Sequence, residues 1–258
     1  TIRNEHTTIN SIIKFGHRKG FTPVSKVHVE EIRIDETARR DAFTYEEIKS
    51  FKASTLEWIG QTNLDEEKYY RKTIGLFWFI AARSFARFGE LRQLKWSMVK
   101  TTKEKSDAGT DIELLQLDLP AHICKNRKSR TVLCIGGNVL MGMKNISKFT
   151  SDNDYVFSRL EENKMISKSQ YYRLWNSLLK FSKMTEQEID KKLTYYSLRH
   201  FGITMKLYAK TPHYDVAKLA GTSVHFIERH YEHLDFILMK YDVINESLKW
   251  DQEGFLVR

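Results

Sequence analysis

Apolar residues recur along this chain at two spacings, and the change from one to the other divides it. Over residues 3–19, Ile9, Ile12, Ile13 and Phe15 mark one side of a helix, and Arg3, Lys14, Arg18 and Lys19 supply its charge. Gly20 and Pro23 stop it. Residues 22–42, with brief alternation in VHVEEIRI, predict a linker or extended arm. In T-Y-E-E, Glu47 stands three residues after Thr44, which predicts a capping box and a new helix. Further helices are expected over 67–84 and from Ala86 to just before Trp96. The spacing then turns to strict alternation. IELLQLDL (112–119) sets Leu115, Leu117 and Leu119 on one face, and RTVLCI (130–135) is a second strand ended by Gly136 and Gly137. Beyond this the helical spacing returns over 138–147, 168–181, 186–192, 197–209, 213–220 and 224–231, with a terminal helix near 234–248. The pattern predicts a mainly α domain carrying one small antiparallel β-sheet (α+β), over residues 43–258. Residues 1–21 read as the end of a truncated helical domain and 22–42 as the linker between them.

Composition narrows the class. A chain of 258 residues with 41% apolar and 12% aromatic residues has enough for a core and is not a disordered sequence. Its net charge of +9 and pI near 9.3 favour a polyanionic partner without choosing between DNA, RNA and anionic lipid. Two cysteines, Cys124 and Cys134, are too few for a disulfide scaffold and predict a reducing, cytoplasmic setting. The most apolar run, Ile74 to Ala82, is too short to span a bilayer, and no secretory signal is present. A chain that begins with Thr1 is expected to be part of a longer one.

The positive charge is uneven. Ala121 to Lys148 holds six Lys or Arg and no acid; Lys191 to Lys210 holds five and no acid. Such runs are either a solvated basic face or a nucleic-acid contact. The first includes a hairpin whose tip would carry Lys125, Arg127, Lys128 and Arg130, suited to a phosphate or a DNA groove; Lys144 and Lys206 extend the candidate surface.

Three stretches could carry chemistry. In ARFGELRQLKW (86–96), Arg87 and Glu90 are three apart on a helix. They are either a surface pair or a guanidinium locked by a carboxylate, a fork suited to phosphate. In YYSLRHFG (195–202), Arg199 is embedded in apolar sequence, and a buried charge needs partners. In ERHYEHLD (228–235), Tyr231 is a poor nucleophile while protonated, with a reference pKa near ~10, and would need activation by its surroundings. The histidines and cysteines are not spaced as a metal site, and the chain has no GxGxxG, GxxxxGK[ST] or HExxH.

Taken in order, ARFGELRQLKW, CKNRKSRTV, YYSLRHFG and LAGTSVHFIERHY resemble the tyrosine recombinases, or phage integrase family, over roughly residues 40–235. The resemblance implies that family's catalytic-domain fold, with residues 1–21 as the remnant of its core-binding domain. It implies that Arg87 and Arg199 clamp the scissile phosphate and that Glu90 supports Arg87. Lys125 would protonate the leaving 5′ oxygen, Tyr231 would be the nucleophile, and His200 would be structural. It implies neither cofactor, metal nor ATP. The partner would be double-stranded DNA, met by a monomer in solution that forms a tetramer on the duplex, in a bacterial or phage-encoded protein. Two positions depart from the family's commonest pattern: Tyr196 stands where a histidine is usual, and Thr222 where a histidine or tryptophan is usual. His230 and His225 are substitutes by nearness in sequence. The terminal stretch, with Ile237, Tyr241, Ile244 and Leu248 on one side, either packs on its own domain or docks on a neighbouring protomer. The expected activity is site-specific recombination through a 3′-phosphotyrosine. The alternatives are a recombinase-like module that binds without cutting, and a type IB topoisomerase-like relaxase.

Overall fold

The structure, a computed structural model, describes residues 2–27, 41–105, 109, 111–231, 249–250 and 256–257. The chain divides into two units, Thr1–Arg39 and Arg40–Arg258. In the first, α1 (Ile2–Arg18) is followed by Gly20 at φ +75°. The returning chain is held by Asn10, whose Oδ1 accepts from the Val27 N–H at 2.8 Å. Ile9, Ile12 and Phe15, the apolar side expected of this helix, are exposed.

The second unit runs α2 (Tyr45–Gly60), α3 (Asp65–Ser84), α4 (Phe88–Arg92), β1 (Val99–Lys105), β2 (Asp111–Leu119), β3 (Arg130–Ile135), α5 (Gly137–Met141), α6 (Lys168–Phe181), α7 (Glu186–Ile189), α8 (Tyr195–Tyr208), α9 (His213–Ala220) and α10, described over residues 224–231. The T-Y-E-E capping box starts α2: the Thr44 N–H donates to Glu47 Oε2 at 2.7 Å, and the Glu47 N–H to Thr44 Oγ1 at 3.2 Å. α3 is the central helix. Its Ile74, Phe77, Trp78 and Ile80 are buried, so the most apolar run of the chain is core, and α2, α6 and α8 pack around it. No helix among the described residues is long and apolar enough to cross a membrane. α8 approaches α3 closely through Gly202, where a Cβ would strike the carbonyl oxygen of Ala82 and the Phe85 ring. Phe85 ends α3 with φ 52°, a left-handed conformation that costs energy in a bulky residue.

The sheet has three strands in the order β1-β2-β3, both pairs antiparallel, with Val99 opposite Leu117 and Leu119 opposite Arg130. Sequence alternation revealed β2 and β3 and missed β1. VKTTKEK lies on the sheet's edge, exposed from Lys100 to Lys105, so nothing forces apolar residues into a period of two. Three helices are shorter than their spacing suggested. α4 gives way to a 3-10 turn at Trp96–Met98, α5 tightens into another at Gly142–Asn145, and α7 stops where Asp190 turns left-handed at φ 52°. The terminal helix expected near 234–248 lies outside the described residues; beyond it Lys249–Trp250 pairs with Leu256–Val257.

Candidate active site

A helix ends with carbonyls that lack partners and with partial negative charge. At the C-terminus of α9 these carbonyls hold three guanidinium groups in succession. Leu219 O accepts from Arg130 Nε at 3.2 Å, Ala220 O from Arg199 Nη2 at 2.7 Å, and Gly221 O from Arg87 Nη2 at 3.0 Å. Gly221 sits at φ +62°, and a Cβ there would stand 2.9 Å from Cδ and Nε of Arg130. The backbone turn and the nearness of the cation both demand glycine.

Arg87 is the N-cap of α4, and three residues of helix bring Glu90 back beneath it. The Arg87 N–H donates to Glu90 Oε2 at 2.7 Å and its Nη1 to Oε1 at 3.1 Å. Glu90 is 1% exposed and also takes a fork from Arg130: Nη1 to Oε1 at 3.0 Å and Nη2 to Oε2 at 2.7 Å. Burial alone would raise the Glu90 carboxyl. The hydrogen bonds and charge of Arg130, and then the backbone bond and charge of Arg87, outweigh it and hold the group below its usual range. Of the two readings the Arg87–Glu90 spacing allowed, the structure has the locked pair. Arg199 is 3% exposed, and among the described residues its guanidinium is hydrogen-bonded by backbone carbonyls rather than by a carboxylate. Its Nη1 donates to the carbonyl of Phe85, so the strained end of α3 serves as an acceptor. Burial, followed by the like charge of Arg87, lowers its pKa.

Tyr231 closes this group from α10. Its ring is 3% exposed, packed with Phe85, Ile203, Val216, Ala220 and Ile227. Burial raises its phenol well above the usual value, against the pull of Arg199. Its hydroxyl lies 2.6 Å from His200 Nδ1. Tyr196, one helical turn before His200, sets its ring edge-on to the imidazole with centroids 4.8 Å apart. Thr222 is half-buried just past the α9 carbonyls, its N–H bonded to Ala217 O at 3.0 Å. His230 is turned away: its ring stacks on Phe226 at 3.9 Å, and its Nδ1 meets Phe226 O at 3.0 Å. Neighbours on a helix leave it about 100° apart, so nearness in sequence to Tyr231 gave no nearness of side chains.

The basic candidates separate. Lys125, Arg127 and Lys128 are exposed on residues 120–129, a ten-residue connection rather than a tight tip. Lys144 is exposed, with its ammonium 4.9 Å from the centroid of the Trp96 ring, and Lys206 is half-buried on α8. Arg130 is not on this surface. Its side chain is 9% exposed because, as the first residue of β3, it shares the inward face with Val132 and Cys134. The alternation that revealed the strand could have assigned Arg130 to that face. The carbonyls of Phe85, Leu219, Ala220 and Gly221 had no such signal, since any residue carries one.

No protein-family model matches the chain, and no curated protein matches it in sequence. Solved structures do resemble it. XerH site-specific recombinase bound to its difH substrate, in a pre-cleavage complex, superimposes with TM-score 0.61 at 16% identity over 92% of this chain and 63% of that one. XerA recombinase gives 0.55 at 18% identity, over 93% and 74%. The Tn1549 transposon integrase in complex with transposon right end DNA gives 0.61 at 13% identity, over 94% and 78%. The chain spans less than two thirds of the XerH chain. The likeness establishes the fold: that of the tyrosine recombinase catalytic domain, mainly helical around a three-stranded antiparallel sheet.

Proposed function

We propose that this protein is a site-specific DNA recombinase that breaks and rejoins DNA through a phosphotyrosine at Tyr231. The observation that carries the reading is the convergence of Arg87 and Arg199 on the end of α9, next to a buried tyrosine that senses the charge of Arg199. Two fixed guanidinium groups match the charge that gathers on the equatorial oxygens of a pentavalent phosphorus, and preorganised charge of this kind is the largest catalytic term. Glu90 and Arg130 fix the first guanidinium; the carbonyls of Phe85 and Ala220 fix the second.

In the proposed reaction Tyr231 Oη attacks phosphorus, the 3′ side stays on the enzyme, and Lys125 gives a proton to the departing 5′ oxygen. The ester energy is kept, so a 5′ hydroxyl of another strand reverses the step without ATP or metal. DNA as partner is supported by structural neighbours that are DNA complexes. Exchange between two duplexes needs four such sites, hence a tetramer on DNA assembled from monomers. Integration, excision, resolution and inversion share these residues.

Tyr196 and Thr222, in place of the usual histidine and histidine or tryptophan, favour a second reading, a module that binds DNA without cutting it. Nicked suicide duplexes made from the flanks of the protein's own gene separate the two. The recombinase leaves a labelled protein band on a denaturing gel, and Tyr231→Phe abolishes it. Binding without a band on every such duplex would establish the module instead.

A further inference from the structure

We infer that His200 is a catalytic residue, the base that takes the proton from Tyr231 during attack. The inference rests on the recombinase reading and assigns a step that the departures at Tyr196 and Thr222 leave open. A tyrosine held neutral by burial does not attack phosphorus unless its proton leaves as the new bond forms. The phenol at position 196 and the aliphatic hydroxyl at position 222 lack the basic ring nitrogen that an imidazole offers for that proton. His230, the other histidine beside the nucleophile in sequence, faces Phe226. Among the described residues, the imidazole that meets the Tyr231 hydroxyl is that of His200, with Nδ1 at 2.6 Å. That distance is within the reach a general base needs.

Local architecture keeps the contact in place. His200 follows Arg199 on α8, and Gly202, two residues on, seats that helix tightly against α3. The edge-on ring of Tyr196 covers one side of the imidazole. Tyr231 comes from α10 and packs beside Phe85 and Ile203.

The step balances. In the tautomer that leaves Nδ1 bare, Tyr231 donates to it. The O–H bond breaks, its electron pair forms the Oη–P bond, and the proton goes to Nδ1. The P–O5′ bond breaks with its pair on O5′, which takes a proton from the Lys125 ammonium. The products are the 3′-phosphotyrosine, a 5′ hydroxyl, an imidazolium and a neutral lysine. On rejoining, the incoming 5′ hydroxyl returns its proton to Lys125, and the imidazolium returns its own to Tyr231.

The test is the single-turnover rate of adduct formation by the full chain on nicked duplexes from the flanks of its gene. His200→Asn keeps a hydrogen-bond acceptor beside Tyr231 but cannot take up a proton. It should slow the step by about 100-fold or more, with melting temperature and duplex affinity held. Once the cleaved position is mapped, the bridging 5′ oxygen there is replaced by sulfur, whose thiolate leaves without a proton. Lys125→Ala should then recover and His200→Asn should not. Rates are taken per duplex-bound, folded protein, so the comparison holds even if the Asn variant melts early. A His200→Asn rate within a few-fold of wild type, with Tyr231→Phe inert, would overturn the inference and leave the recombinase reading intact. No adduct from the wild type on any of these duplexes would sink both.

Discussion

Arg130 is the residue whose loss should be felt furthest. It forks onto a buried carboxylate that also fixes Arg87, and it ties β3 to the end of α9. Arg130→Met removes one partner of that ion pair and leaves Glu90 short of charge. Urea denaturation should show a loss of about 3–5 kcal/mol. Arg127→Ala and Lys128→Ala, at exposed positions, should stay within about 0.5 kcal/mol of wild type. If they meet phosphates, each should instead weaken duplex binding and flatten its salt dependence by about one counterion. Glu90 also sets an acid limit. Its pKa is lower folded than unfolded, so its stabilisation is complete above the unfolded value of about 4.3 and fades as pH falls through the folded one. The stability gap between wild type and Glu90→Gln, followed from pH 6 downward, should therefore narrow below about pH 4. At this scale the sequence spoke unevenly. Arg87 and Glu90 announce each other by helical spacing, and Arg130 shares a strand face with Val132. The partners of Arg199 are backbone carbonyls of Phe85 and Ala220, for which the amino-acid alphabet has no letter.

Elements were legible where burial imposes a period. The Thr44–Glu47 box, the α3 core and the inward leucines of β2 follow from spacing alone. β1 did not, because an exposed edge strand tolerates VKTTKEK. The lengths of α4, α5 and α7 did not either, since a helix stops where caps and left-handed residues stop it, often inside an apolar pattern. Backbone geometry at such stops makes a prediction. Gly221→Ala meets both a positive φ and the Arg130 guanidinium, and should cost more than about 1 kcal/mol in thermal or urea unfolding. Gly60→Ala, in the last turn of α2 with open space around its Cβ, should be neutral or stabilising in the same assay.

For the whole molecule, a charge of +9 states a preference for polyanions, and the fold turns that preference into a location. The exposed lysines and arginine of the 120–129 connection and the clamp at α9 belong to one unit. If these groups meet a duplex, affinity should drop on the order of 10³ between 50 and 200 mM salt, as a contact of about six phosphates requires. A solvated basic face would show little binding at either concentration, and filter retention across that range tells the two apart. The succession of carbonyls at Leu219, Ala220 and Gly221 bears on how such a protein can change over time. Connections between helices ordinarily absorb insertions and deletions with little harm. One residue added or removed within α9 would turn its terminal carbonyls by about 100° about the axis and release all three arginines in a single event. That helix should behave as a fixed-length element, closed to any change in count, and Ser223, whose Oγ accepts from the Phe226 N–H at 3.1 Å at the start of α10, should resist substitution as well.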